Sequence, residues 1–253
     1  MNEKTLVKIL NRAHLFNWLR WIRSKAQAGN KHKIAFYRQF VSRDDLCFDI
    51  GANIGQKVEF FLKLKARVIA VEPQCSCYHF LKNIYRKNPR VTVLHEALDE
   101  QKGQKEIMLC EANAMSSFSK EWIREARKIF DYEWSGAETV VTETLDDLIT
   151  RFGTPQYIKI DVEGFELNVI RGLNQKVPFL SFEVNPWSVP TLPRIVDHLA
   201  KFASPRFNFV EDPTFAHRPV HFPFREWLTR EQLLDFAQKN QKSMFKDVFV
   251  KWV

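Results

Sequence analysis

Acidic residues recur in this chain where short apolar runs stop. Asp49 closes "LCFDI" and precedes the glycine loop "GANIG", Glu72 closes "RVIAVE", and Asp161 and Glu163 follow "QYIKI". A carboxylate so placed can accept hydrogen bonds from ammonium or hydroxyl groups, or take up a proton. Gly51 and Gly55 admit backbone angles closed to other residues, so a ligand can approach the main chain. A carboxylate at Asp49 would repel a pyrophosphate. The dinucleotide fingerprint also fails, because Asn53 stands where its second glycine belongs, and no GK[ST] follows to make a Walker loop. Glu72 is placed to bond the hydroxyls of a ribose. The four residue types together favour a nucleoside cofactor without phosphate. A tight strand-to-helix turn would explain the glycines but not the two acids.

Further candidates follow the later apolar runs. Glu96, Ala97 and Leu98 in "HEALDE" stand where an adenine ring would be bordered, with Asp99 a weaker candidate. Asp161 follows its run directly and is expected to point into a crevice, which makes it the first choice for a general base; Glu163 is the second. Helix capping is the competing fate for such carboxylates. Glu183, Asn185 and Trp187, in and beyond "PFLSFEVN", are candidate substrate contacts, with the Trp187 ring as a stacking face for a sugar or as a packing residue.

The elements that must position these residues are legible as alternating strands and helices. From Leu46 the strands are "LCFDI", "RVIAVE", "RVTVLHEAL", "QYIKID" and "PFLSFEVN". Between them lie helical patterns such as "GQKVEFFLKLK", "SCYHFLKNIYRK", "TLDDLITRFG" and "ELNVIRGL". "GQKEIMLCE" reads as an extra strand, and residues 112–138 as a less regular insertion with one helical pattern, "SKEWIREARKIF". "PRIVDHLAKF" is a further helix, and the tail supplies strands "FNFVE" and "MFKDVFVKWV" around the helix "REQLLDFAQKN". Such alternation implies parallel crossovers and a doubly wound, mostly parallel α/β sheet. Ligands then bind beyond the carboxyl ends of the strands, where every candidate above sits.

The chain has 253 residues, 45% of them hydrophobic, enough for one domain with a well-buried core. Its net charge of +8 is unevenly placed: residues 1–43 hold ten Lys or Arg against Glu3 alone, a net +9, and the rest is close to neutral. Within that segment, "KTLVKILNRAHLFNWLRWIR" (residues 4–23) has the spacing of a basic amphipathic helix. The expected organisation is therefore a helical extension, 1–43, and a catalytic domain, 44–253. The extension packs over the domain or contacts a membrane surface or a partner. No apolar run is long enough to span a bilayer, and basic residues interrupt any signal-peptide pattern, so a cytosolic location is expected. Four cysteines without CxxC spacing read as reduced thiols. His217 and His221 have helical metal-pair spacing, but Pro219 between them indicates a loop, and no metal site is expected. The two carboxylates at Asp161 and Glu163 leave magnesium as a minor alternative.

Taken in order, "FDIGANIG", "AVEP", "ETLDDL", "IKIDVEGFELNVIRG" and "FEVN" resemble the FkbM-type family of S-adenosylmethionine-dependent methyltransferases, over roughly residues 45–186. The resemblance implies the class I, Rossmann-like methyltransferase fold, a seven-stranded sheet with one antiparallel strand. It implies S-adenosylmethionine as cofactor and methylation of a hydroxyl oxygen on a sugar, lipid or secondary metabolite. It implies cofactor contacts at Asp49, Gly51, Asn53 and Glu72 and active-site roles for Asp161 and Glu163. "SSF", Ser116 to Phe118, resembles a serine pair of the family, which places Ser117 as a candidate at the pocket border.

Three rival functions fit the residues less well. "NPW" at Asn185 to Trp187 resembles the loop of amino methyltransferases, but it lacks that loop's second proline and falls after the fifth strand of the alternation rather than the fourth. The basicity lies in one terminal segment without base-stacking motifs, which argues against nucleic acid. A non-catalytic binding module would tolerate loss of Asp49, Glu72 or Asp161, and all three are present.

Overall fold

The computed structural model describes residues 17–19, 21–22, 31–210, 220–244 and 246–253. Most of the basic helix expected over 4–23, and His217 with Pro219, lie outside the described residues. The core strands are β1 (Leu46–Ile50), β2 (Arg67–Val71), β3 (Val91–Leu94), β7 (Tyr157–Ile160), β8 (Phe179–Val184), β9 (Pro205–Val210) and β10 (Lys246–Trp252). They form one sheet in the order β3-β2-β1-β7-β8-β10-β9. All pairings through β8 are parallel, whereas β10 runs antiparallel to both β8 and β9. β1 and β7 are buried along their whole length, as expected of central parallel strands covered on both faces.

Helices α1 (Lys31–Tyr37), α2 (Gln56–Lys63), α3 (Cys75–Tyr85), α4 (Lys120–Ala126), α5 (Leu145–Phe152), α6 (Glu166–Arg171), α7 (Leu192–Leu199) and α8 (Arg230–Lys239) make up the crossovers and covering layers. The strand order reverses between β1 and β7, so the crevice at their carboxyl ends is the switch point where ligands of such sheets bind. One start is built from side chains: Thr144 and Asp147 form a reciprocal capping box on α5, an arrangement worth about 1 kcal/mol.

Two expectations are corrected. The run 90–98 is two strands: β3 stops at Leu94, and β4 (Ala97–Leu98) belongs to a second, three-stranded sheet. Residues 112–138 are not all irregular, because β6 (Trp134–Glu143) begins inside them and pairs antiparallel with β5 (Gly103–Cys110). The end of the expected extension packs over the domain. Phe36, Tyr37, Phe40 and Val41 lie in the core with Cys47, Tyr157 and Phe249; Phe40 stacks on Phe249 and Tyr157 at 5.2 and 5.8 Å between ring centroids. Four buried aromatic and aliphatic side chains tie that stretch to the domain more strongly than its basic composition suggests.

Candidate active site

The ends of β1, β2, β4 and β7 enclose a cavity of about 150 Å³. Its floor is the loop after β1. Gly51 and Gly55 both have left-handed backbone angles (φ 83° and 82°), and Asn53 lies between them at φ 48°. A Cβ on Gly51 would stand 1.9 Å from the carbonyl oxygen of Asp161, so only glycine lets the β1 loop and the β7 loop meet. Gly55 does not line the cavity; it makes the left-handed turn into α2, and a Cβ there would press on Leu81 and Tyr85.

Asp49 is 1% exposed and its Oδ2 is buried without a hydrogen-bond partner among the described residues. Burial pushes its pKa up to about 7, against the pull of Lys57, while Asp161 adds repulsion. A buried carboxylate oxygen left in this state is costly unless a donor reaches it. Glu72 is equally buried, but both its oxygens are held: Asn53 N donates to Oε2 at 2.7 Å and Gln74 N to Oε1 at 2.8 Å. Its pKa is raised to about 7 by burial, with these two amides opposing. Its remaining lone pairs can accept from hydroxyls. Ala97, Leu98, Ile107, Phe118 and Phe165 supply an apolar wall.

The opposite side is acidic. Carboxylate oxygens of Asp161, Glu163 and Glu183 all lie within 4.8 Å of one another. Glu163 takes a left-handed conformation (φ 52°) and is followed by Gly164 at φ 88°, where a Cβ would strike Trp122. Such strain in a non-glycine residue persists only where neighbours enforce it. Here Ser117 Oγ donates to the Glu163 carbonyl at 2.6 Å, and Glu166 Oε1 accepts from Gly164 N and Val162 N at 3.1 and 3.3 Å. Burial, then repulsion from Glu183 and Asp161, holds the Glu163 carboxyl well above the usual carboxylate range; burial, then Asp161 and Glu166, does the same to Glu183. Behind the trio, buried Lys159 on β7 lies 3.5 Å from Asp161 Oδ2 and 2.7 Å from Asp247 Oδ1 on β10. Lys57, from the cavity wall, lies 3.9 Å from the other Asp247 oxygen.

The cavity thus brings together Asp49, Gly51, Asn53, Glu72, Ala97, Leu98, Asp161 and Glu163, and Glu183 joins them through the acidic trio. Besides Gly55, which makes the turn into α2, and the weaker candidate Asp99, which pairs with Lys105, four expected contacts fall elsewhere. Glu96 pairs with Arg151 at 2.7 and 3.0 Å, because the chain turns at residues 95–96 to enter the second sheet. Ser117 is fully buried and braces the Glu163 loop from beneath, while its neighbour Ser116 lines the cavity. Asn185 Oδ1 accepts from Ser188 N at 3.0 Å and so caps the turn after β8. Trp187 packs against the cluster of Trp122, Trp134 and Cys110. Sequence reasoning missed Gln74 and Asn113 on the wall and the loop-fixing Glu166, whose only signal was an acidic residue at the start of α6.

A doubly wound sheet with β10 inserted antiparallel between β8 and β9, and a cavity at its switch point floored by a glycine loop and flanked by buried acids, define a class I methyltransferase fold. The model of the FkbM methyltransferase domain matches residues 49–204, more than half of the chain. The protein belongs to the FkbM methyltransferase family. Its cofactor is S-adenosylmethionine, and the residues present fit it: the orphaned Asp49 oxygen could accept from the amino group of the cofactor's methionine portion, and Glu72 could accept from its ribose hydroxyls. Hexuronic acid methyltransferase AglP of Haloferax volcanii is 27% identical over 161 residues, covering 62% of this chain and 61% of the relative. The chain therefore matches under two thirds of that protein's length. Among solved structures, methyltransferase FkbM from Methylobacillus flagellatus is similar over 92% of this chain and 58% of its own, with 14% identity and a TM-score of 0.49. Aeropyrum pernix fibrillarin with natively bound S-adenosyl-L-methionine matches 89% of this chain and 75% of its own, with 9% identity and a TM-score of 0.41. Among the described residues no helix is long and apolar enough to cross a membrane.

Proposed function

We propose that the protein methylates a hydroxyl oxygen of a sugar acid or a similarly polar small acceptor. The observation that carries this reading is the trio Asp161, Glu163 and Glu183, set at the carboxyl ends of β7 and β8 beside the cofactor cavity. A hydroxyl is a poor nucleophile until it sheds its proton, and a cluster of carboxylates is suited to accept one. S-adenosylmethionine supplies a methyl group on a sulfonium that is already electrophilic. The chain's own residues then have three tasks. Asp49 and Glu72 anchor the amino group and the ribose of the cofactor. The wall of Leu98, Ile107, Phe118 and Phe165 excludes water. Asp161, with the Lys159 ammonium behind it, receives the proton from the acceptor hydroxyl, while Glu163 and Glu183, whose carboxyls burial and neighbouring acids push well above the usual carboxylate range, donate hydrogen bonds to neighbouring acceptor oxygens when protonated. The name of the AglP relative, an enzyme of hexuronic acid, supports a sugar acid as acceptor.

The test is turnover with glucuronic and galacturonic acids and their glycosides as acceptors. Asp161→Asn is expected to lower kcat by about 10²–10⁴, with S-adenosylhomocysteine affinity changed by less than about threefold. Undiminished turnover of that variant, or transfer to amines in preference to hydroxyls, overturns the reading. One observation favours a second reading for the trio: oxygens this close can ligate a hard divalent cation, which would orient the acceptor oxygen instead of Glu163 and Glu183.

A further inference from the structure

Residues 17–19, 21 and 22 turn an apolar face away from the domain. Asn17 is buried, and Trp21 Nε1 donates to Tyr85 OH at 3.3 Å, so one side of this helical segment lies against the protein. Tyr85 OH in turn donates to Glu59 Oε1 at 2.8 Å and lies 3.5 Å from the Gly55 carbonyl, which braces the segment against the end of the cofactor loop. Helical spacing sets Trp18, Leu19 and Ile22 on another side, and they are 46%, 54% and 40% exposed. Packing an amphipathic helix on a domain ordinarily buries its large apolar residues; here polar Asn17 is inside and these three are outside.

The charge of the same stretch says what would cover them. The first 43 residues carry a net +9, and the remainder is near neutral. A second copy of the chain would set two such segments against each other in mutual repulsion. A nucleic-acid backbone would match the charge but not the Trp18, Leu19 and Ile22 face. A bilayer with acidic headgroups matches both: basic residues are drawn to the surface, while Trp, Leu and Ile enter the boundary between headgroups and acyl chains. We propose that the segment around Trp18, Leu19 and Ile22 seats the protein on an anionic lipid surface. This binding does not depend on the methyl-transfer reading.

Co-sedimentation of the full chain with lipid vesicles tests it. Binding is expected to vesicles of phosphatidylcholine with phosphatidylserine and not to phosphatidylcholine alone, weakening at least about tenfold between about 0.05 M and about 0.5 M salt. The variant Trp18→Ser/Leu19→Ser/Ile22→Ser is expected to bind at least about tenfold more weakly, with unchanged melting temperature and S-adenosylhomocysteine affinity, since all three positions are exposed. Absence of binding, equal binding to neutral vesicles, or a triple variant that binds like the wild type would each overturn the proposal. So would a wild-type dimer that the triple substitution makes monomeric.

Discussion

Asp49→Asn isolates the conflict between stability and cofactor binding at this site. The carboxylate is buried, its Oδ2 lacks a partner, and its pKa rises from 3.8 to about 7. Holding the ionised form in the folded protein therefore costs up to about 4 kcal/mol relative to the unfolded chain. A folded pKa above the unfolded one means the folded state binds the extra proton. The favourable contribution is full below about pH 3.8 and is lost as pH rises through about 7. Asparagine keeps the shape, never ionises, and leaves one buried amide group unsatisfied at about 1–3 kcal/mol. At about pH 8 the variant without ligand should be more stable than the wild type by about 1–3 kcal/mol, which is about 2–10 °C in Tm for a chain of this size. Towards about pH 4 the advantage should vanish or reverse. Binding should move the other way. Loss of a charge-assisted hydrogen bond to the ligand's ammonium costs about 1.5–3 kcal/mol, or about 10–150-fold in S-adenosylhomocysteine affinity. Thermal denaturation across that pH range, with titration calorimetry, measures both effects. A variant less stable than wild type at about pH 8, or an unchanged affinity, would refute the assignment of Asp49.

Other perturbations have equally defined outcomes. Gly51→Ala places a Cβ 1.9 Å from the Asp161 carbonyl at φ 83°; calorimetry should show S-adenosylhomocysteine binding lost and Tm lowered, the destabilisation exceeding about 2 kcal/mol. Asp247→Asn replaces the anionic partner 2.7 Å from buried Lys159 with a neutral amide and should destabilise by about 1–3 kcal/mol in urea unfolding, with Asp247→Asn/Lys159→Met recovering much of the loss. If the trio holds a cation, chelation should lower kcat and magnesium restore it; turnover indifferent to both leaves the carboxylates to work by proton transfer and hydrogen bonding alone.

The central sheet was legible because its strands are short apolar runs punctuated by Gly and Asp, and the principal site residues sit where those runs stop. Asp49, Glu72 and Asp161 could be placed for that reason. Glu96 could not, because nothing in "RVTVLHEAL" marks the break after Leu94 that sends the chain into a second sheet. That sheet was itself hidden. In β6 the sequence "WSGAETVVTE" has one face in the core only at Trp134, Val140 and Thr142, and Val141 faces outward, so alternation is weak. Ser117 and Asn185 have the residue types of ligand contacts, yet they satisfy backbone groups of neighbouring loops, a distinction that rests on tertiary geometry. The acidic trio required β7 and β8 to be adjacent; spacing along the chain gave no sign that Glu183 meets Asp161 and Glu163.

The most direct test of the account is to incubate the protein with S-adenosylmethionine carrying a ¹³C-labelled methyl group and a uronic acid glycoside, then locate the label by nuclear magnetic resonance. Label on a hydroxyl oxygen of the acceptor, absent with Asp161→Asn although that variant still binds S-adenosylhomocysteine, is the predicted result. Label on nitrogen or carbon, or oxygen methylation that survives the loss of Asp161, would contradict it.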